Sequence, residues 1–141
     1  MWIIQKENKH MAVPLTEVSC AVIMDGDRVL VTQRSEGMPH PLKWEFPGGK
    51  LQPGETPEGC IIREIREELG VEISVLQLLP SVRHRYPDSD IKLIPFICTI
   101  KKGEIDLSEH RSCSWVSRSD LDQIDWLEAD IGVVALIDKY C

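Results

Sequence analysis

The segment from residue 48 to residue 71 constrains this chain of 141 residues more than any other, because a glycine pair precedes a helix that carries clustered acidic side chains. Glu64, Glu67 and Glu68 are spaced i, i+3 and i+4. At about 100° per residue they fall within an arc of roughly 100° on one helix face. Like charges at this spacing destabilise a helix, and a hard divalent cation that prefers oxygen ligands would offset the repulsion. The alternative is a solvated acidic face.

The residues around these glutamates predict where the helix begins and ends. Thr56 is a suitable N-cap, and Pro57 suits the first helical position. Gly70 suits a C-terminal stop in the left-handed conformation. We therefore expect a helix over residues 57–69.

The same segment resembles the Nudix box, in which glycine, glutamate, Arg-Glu, Glu-Glu and a final glycine stand at fixed spacing. The residues that fill its positions are Gly49, Glu55, Arg63, Glu64, Ile65, Glu67, Glu68, Gly70 and Val71. The Trp-Glu-Phe-Pro at 44–47 and several positions after the box also resemble the MutT-like nucleoside triphosphate pyrophosphohydrolases. The resemblance covers about residues 16–137.

The rest of the chain predicts strands and a second helix. Alternating apolar residues and turn signals indicate strands at 16–24, 28–33, 44–47, 71–86 with a bend or interruption near Pro80, 91–100 and 113–116, and a helix at 128–139. Pro95 suggests an edge strand or a bulge. In the last helix we expect Ile131, Val134, Ala135 and either Leu136 or Ile137 to face inward.

This pattern predicts an α/β or α+β layered domain. The resemblance implies the Nudix α/β/α sandwich, with a mixed sheet between the Nudix helix and a C-terminal helix. Residues 1–141 are expected to form a single domain, with a core at about 16–139 and an extension at 1–14.

Composition excludes some functional classes. A net charge of −7 argues against binding a nucleic acid polymer, which calls for a basic patch. The sequence has no apolar run of membrane-spanning length, and five cysteines without C-x-x-C spacing favour reduced thiols. We therefore expect a cytoplasmic protein, as a monomer or homodimer, without membrane or nucleic acid partners.

The resemblance implies a metal site. Its cofactor is expected to be Mg²⁺, with Mn²⁺ as a possible substitute. The expected ligands are Glu64, Glu67, Glu68, the carbonyl of Gly48 and Glu109, which lies six residues before Trp115. Glu109 is also a candidate general base for the attacking water.

Three basic residues near the box are expected to serve the site. Arg63 either contacts phosphate or orients a box glutamate through a bidentate pair, and we favour the second role. Arg34 and Lys50 are phosphate-binding candidates, with solvated surface cations as the alternative. Glu55 is expected to be structural, and none of the four histidines shows ligand spacing.

The nucleobase pocket is assigned to aromatic residues and one aspartate. Phe46, Tyr86 and Trp126 are candidate stacking residues, with burial in the core as the alternative. Asp130 would accept a hydrogen bond from a base edge that donates, or it would cap the last helix. Its surroundings resemble the CTP pyrophosphohydrolase branch of the family.

The resemblance implies a Mg²⁺-dependent pyrophosphohydrolase that converts a nucleoside triphosphate and water to a nucleoside monophosphate and pyrophosphate. CTP or a modified pyrimidine nucleotide is the expected substrate, and 8-oxo-dGTP is the alternative. More remote alternatives are a Nudix enzyme for a nucleotide sugar or dinucleotide, and a non-catalytic nucleotide-binding regulator.

Overall fold

The computed structural model describes residues 13–108 and 110–141. Its strands are β1 (Leu15–Asp25), β2 (Arg28–Gln33), β3 (Trp44–Glu45), β4 (Gly48–Lys50), β5 (Glu72–Leu78), β6 (Val82–Tyr86), β7 (Ser89–Lys102) and β8 (Ser112–Ser117). The helices are α1 (Pro57–Leu69), α2 (Glu128–Tyr140) and a short 3₁₀ helix at Arg118–Gln123, which lies between β8 and α2. No helix among these residues is long and apolar enough to cross a membrane.

All eight strands form one mixed sheet in which β1 occupies the centre. β1 runs parallel to β7 from Leu15 to Ile23, and its end pairs antiparallel with β2. On its other side β1 pairs with the short β4, where Ser19 lies opposite Gly49. The strand order is β3-β2-β1-β7-β5, with β8 on β2 and β6 on β7. This arrangement fixes the glycine pair against the middle of the sheet.

Alternate residues of β1 face two different helices. Ala21 and Ile23 pack in one buried cluster, which includes Ile61, Ile65 and Leu69 of α1. The second cluster lies on the opposite face of the sheet and contains Cys20 and Val22 with Ala129, Val133 and Ile137 of α2. Burying each large aliphatic side chain contributes about 1.5–3 kcal/mol. The sheet is therefore covered on both faces, and the predicted α/β/α sandwich is confirmed.

Helix α1 begins and ends where its sequence predicts. The hydroxyl of Thr56 accepts a hydrogen bond from the Gly59 N–H at 3.0 Å, and Pro57 is the first helical residue. Gly70 has φ 68°, in the left-handed region, and its N–H donates to the Arg66 carbonyl. The N-cap, the proline and the glycine stop are all confirmed.

Helix α2 presents a different face from the expected one. The buried apolar residues are Ala129, Val133 and Ile137, at i, i+4 and i+8, while Ile131 is 55% exposed. Ala135 is exposed as well. The prediction was right for Ile137 and wrong for Ile131 and Ala135, because a residue two positions from the buried stripe lies about 200° around the helix from it.

The segment predicted as a strand bent or interrupted near Pro80 is two strands, which pair with different parts of β7. Leu78 at the end of β5 pairs with Phe96, and Val82 at the start of β6 pairs with Leu93. Pro95 lies opposite the interruption between them and pairs on its other side with Cys20. The interruption is confirmed, but Pro95 is inside the sheet and not on an edge strand, and one register shift of β5 lies opposite Cys98 and Ile97 instead. Because no residue of β5 or β6 pairs with Pro95, the N–H that proline lacks is not needed for a ladder hydrogen bond on that side.

Candidate active site

A cavity of about 510 Å³ extends from α1 to the beginning of α2. At one end its walls include Glu64, Glu68 and the β4 residues Gly48–Lys50. The residues at the other end are Phe46, Tyr86, Ala129 and Asp130. The cavity therefore brings Glu64, Glu68 and the predicted base-reading residues into one site. Glu67 lies outside the lining found for the described residues, and 60% of its side chain is exposed.

The glycine pair permits close approach at the α1 end. A Cβ atom on Gly49 would overlap the carboxylate of Glu64, and one on Gly48 would overlap the backbone carbonyl of Ser19. Only glycine fits at both positions without a shift of the backbone or of the glutamate. The close contact holds β4 against β1 and brings the box backbone to Glu64.

Arg63 connects three glutamates of the box. Its guanidinium forms a bidentate pair with Glu55 at 2.6 and 2.9 Å, and donates to Glu64 at 2.9 Å and to Glu67 at 3.1 Å. The hydrogen bond from Arg63 lowers the pKa of Glu55 from 4.5 to about 2. The contacts of Arg63 are those expected of a residue that orients box glutamates. Glu55, which forms the bidentate pair, is its main partner.

Glu68 belongs to a second set of contacts that crosses the site. One of its oxygens, Oε1, lies 2.7 Å from Nδ1 of His110 and accepts the His110 backbone N–H at 3.0 Å. The other ring nitrogen of His110, Nε2, lies 2.7 Å from Glu45. Both oxygens of Glu45 accept from Arg34, each at 3.0 Å. We call Arg34, Glu45, His110 and Glu68 the cross-site chain.

The ring of His110 is held between two carboxylates and is only 7% exposed. Burial opposes its charged form, but hydrogen bonds with Glu45 and Glu68 outweigh burial and raise the pKa of His110 above its ordinary value. Sequence reasoning gave this histidine no role. The available signal was its position next to Glu109, five residues before Trp115.

The prediction for Glu109 falls outside the described residues. The residues on either side of it are both joined to Glu68. The Ser108 N–H donates to the Glu68 carbonyl at 3.0 Å, and the His110 N–H donates to the Glu68 side chain. The prediction that Glu109 is a ligand or a base stays a prediction.

The two phosphate-binding candidates differ in their surroundings. Arg34 is half-buried by its pair with Glu45 and also donates to the Pro39 carbonyl at 2.7 Å. Lys50 is exposed at the mouth of the cavity beside the glycine pair. Both line the cavity, so both can present positive charge to it.

Asp130 is buried at the far end of the cavity, with 3% of its surface exposed. Its Oδ1 accepts the Phe46 N–H at 2.9 Å, and burial raises the pKa of its carboxyl well above the ordinary value. The helix cap position belongs to Leu127, and no side chain caps the helix there. The alternative that Asp130 caps the last helix is therefore wrong.

All three aromatic candidates are buried in one core cluster, and two of them also form the cavity wall. Phe46 and Tyr86 line the cavity, and the hydroxyl of Tyr86 accepts the Ala129 N–H at 3.1 Å. Trp126 lies outside the lining found for the described residues. Its ring stacks on Phe46 with centroids 4.7 Å apart, and its indole N–H donates to Leu121. Trp126 therefore supports the wall from the core side.

Oxygen donors suit this end of the cavity to a hard divalent cation. Within residues 13–108 and 110–141, no three His, Cys, Asp or Glu side chains converge as a ready-made metal site. Glu64 and Glu68 nevertheless share the cavity wall with the Gly48 backbone. Carboxylates and a backbone carbonyl are the ligand types that Mg²⁺ and Mn²⁺ accept, so the donor set fits such an ion.

Comparison with known proteins gives a consistent result. The NUDIX domain family model matches residues 14–136. An 8-oxo-dGTP diphosphatase of Proteus vulgaris is 40% identical over 95 residues, which are 62% of this chain and 80% of the relative. A CTP pyrophosphohydrolase of Escherichia coli is 31% identical over 117 residues, 83% of this chain and 87% of the relative. The crystal structure of a MutT protein from Methanosarcina mazei matches with a TM-score of 0.82 at 25% identity, over 91% of this chain and 96% of that one.

Proposed function

Because this chain belongs to the Nudix hydrolase family, we propose that it is a Mg²⁺-dependent pyrophosphohydrolase that converts a nucleoside triphosphate and water to a nucleoside monophosphate and pyrophosphate. The observation that carries the proposal is the single cavity with box glutamates at one end and a buried carboxyl group at the other. A nucleotide has the matching layout, with charged phosphates at one end and a base at the other. The named relatives are diphosphatases and pyrophosphohydrolases of such nucleotides.

Nudix hydrolases generally use divalent metal ions, and the residues that would hold one here are Glu64, Glu67, Glu68 and the Gly48 carbonyl, with Glu109 as a further ligand. Mg²⁺ is the proposed ion, and Mn²⁺ is the expected substitute. When bound, the ion supplies neutralisation of phosphate charge and activation of water. Arg63 would orient Glu64 and Glu67 through its hydrogen bonds with both.

The chain's own cations and carboxylates support the remaining parts of the reaction. Lys50 at the cavity mouth and Arg34 in its wall would contact the phosphates. Glu109 is the proposed general base for the attacking water. Phe46 and Tyr86 would bound the base on its apolar faces.

Asp130 is the proposed base-reading residue. An ionised carboxylate only accepts, so it favours a base edge that donates, such as the amino group of cytosine. Its Oδ1 already accepts the Phe46 N–H, so Oδ2 is the oxygen that would meet the base edge. The favoured substrate is CTP or a modified pyrimidine nucleotide. The second candidate is 8-oxo-dGTP, favoured by the 40% identical relative and by the donor groups on the edge of guanine.

A substrate panel tests this proposal. CTP, 5-methyl-dCTP, UTP, dTTP, dGTP and 8-oxo-dGTP would be ranked by kcat/KM with Mg²⁺, and the products would be identified. We expect monophosphate and pyrophosphate as products, with cytidine-type nucleotides ranked above UTP and dTTP. An 8-oxo-dGTP value far above all others would establish the second candidate. Hydrolysis of no triphosphate with either Mg²⁺ or Mn²⁺ would overturn the proposal.

A further inference from the structure

We infer that His110 is a positioning residue for the reaction, which fixes Glu68 at the α1 end of the cavity and connects it through Glu45 to Arg34. This inference rests on the proposed role of Glu68 as a metal ligand. It adds a residue outside the Nudix box, from a loop that reaches the site only in the folded chain. The geometry that carries it is the cross-site chain.

The ring of His110 has a single orientation that satisfies both of its nitrogen contacts. Nδ1 lies 2.7 Å from Glu68, and Nε2 lies 2.7 Å from Glu45. The His110 backbone N–H donates to the same Glu68 oxygen as the ring does. Two bonds from one residue to one oxygen restrict both the position and the rotation of the Glu68 carboxylate.

The side chains in this arrangement are almost completely buried, so the contacts are costly to lose. The exposed fractions are 7% for His110, 8% for Glu68 and 14% for Glu45. Breaking a buried charge-assisted hydrogen bond costs more than breaking an exposed one, because water does not replace the lost partner. Replacing the His110 ring would remove the group that both carboxylates share, although Glu45 keeps its pair with Arg34 and Glu68 keeps the backbone N–H of residue 110. Glu68 would then lose one of the two hydrogen bonds from residue 110 that fix its carboxylate.

The other end of the cross-site chain reaches a segment that borders the cavity. Arg34 joins Glu45 to the Pro39 carbonyl, and Pro39 lines the cavity together with Met38 and His40. His40 has φ 52°, a left-handed conformation that is costly for a residue other than glycine. The Arg34 bond helps to hold this segment in place. His110 therefore stands between a cavity-lining segment and a proposed metal ligand.

A metal ligand depends on the residues that orient it, and loss of such a residue typically costs about 10–100-fold in metal affinity or activity. We expect His110→Phe, which fills the volume but donates no hydrogen bond, to lower kcat by about 10–100-fold while KM changes little. Mn²⁺ binding without substrate, followed by electron paramagnetic resonance, should weaken in parallel. His110→Gln should lie between His110→Phe and the wild type, because one amide can still donate to one carboxylate.

A double-mutant cycle separates positioning from general destabilisation. Glu45→Gln should lower kcat when it is made in the wild type. It should add little in the His110→Phe background, since both substitutions break the cross-site chain. Arg111→Gln is the matched control. It changes the next residue of the same loop, whose side chain is 53% exposed and pairs with the exposed Glu36, and it should leave kcat and Mn²⁺ binding unchanged.

Three outcomes decide the inference. Parallel losses of kcat and Mn²⁺ affinity in His110→Phe, with a smaller loss in His110→Gln, support it. Suppose that Glu68→Gln is inactive, but that a His110 variant has only a lower melting temperature, with kcat and Mn²⁺ affinity unchanged. His110 would then be structural only, and the proposed function would stand. Full activity of Glu68→Gln would instead reject the proposed metal ligand, and the positioning role with it.

Discussion

The surroundings at the two ends of the cavity shift the pKa of a carboxyl group in opposite directions. At the α1 end, Glu55 and Glu64 share the guanidinium of Arg63, and the pKa of Glu55 falls to about 2. At the α2 end, Asp130 receives one backbone N–H from Phe46. Burial there raises the pKa of the Asp130 carboxyl well above its ordinary value. One end therefore preserves negative charge, and the other disfavours it.

This contrast corresponds to the two parts of a nucleotide. Phosphates and the cations that accompany them need fixed charges that remain ionised. A neutral base is recognised by hydrogen bonds in an apolar pocket, where an unpaired partner is costly. We therefore expect substitutions at the α1 end to change turnover, and substitutions at the α2 end to change which base is preferred.

The largest effect is expected at the α1 end. Glu67→Gln and Glu68→Gln should each lower kcat by about 100-fold or more, because a metal ion's stabilisation of charge is worth several kcal/mol. Steady-state kinetics at saturating Mg²⁺ would measure this. Glu58→Gln, on the exposed first turn of the same helix, is the matched control and should retain wild-type kcat. Near wild-type turnover in both box variants would remove the metal-binding role from this end.

An intermediate effect is expected at the α2 end. Asp130→Asn should lower kcat/KM for the preferred base by about 1–3 kcal/mol in transition-state terms and change the ranking of bases. The same substrate panel measures it, and kcat with the best substrate should fall less than in the box variants. If only the melting temperature changes and the ranking is preserved, another residue reads the base.

The smallest effect is the pH dependence of stability, which should have opposite signs at the two ends. Because the pKa of Glu55 is lowered from 4.5 to about 2, its contribution is present above pH 4.5 and is lost as pH falls toward 2. Because the pKa of Asp130 is raised, folding loses stability as pH rises from the ordinary value of 3.8 through the raised one.

Chemical denaturation of two variants would separate these contributions. Glu55→Gln should remove part of the stability that the wild type gains between about pH 2 and about pH 5. Asp130→Asn should become more stable relative to wild type as pH rises above about 4. Parallel pH profiles for wild type and both variants would mean that the two ends do not differ in this way.

The sequence predicts features that neighbouring residues determine better than features that depend on contacts between residues far apart in the chain. Helix α1 is determined by neighbours such as Thr56, Pro57 and Gly70, and its bounds were correct. The inward face of α2 depends on how the helix packs on the sheet, and Ile131 was placed wrongly. The contacts of His110 join it to residues 42 and 65 positions away, and no local pattern indicates them.

The proposed reaction is attack of water on the β-phosphorus of a nucleoside triphosphate, which gives a monophosphate and pyrophosphate, and isotope labelling tests it most directly. The reaction would be run in ¹⁸O-enriched water with Mg²⁺ and the best substrate of the panel, and the products would be analysed by mass spectrometry. Attack at the β-phosphorus predicts one ¹⁸O atom in pyrophosphate and none in the monophosphate. Label in the monophosphate, or orthophosphate as the released product, would contradict the claim.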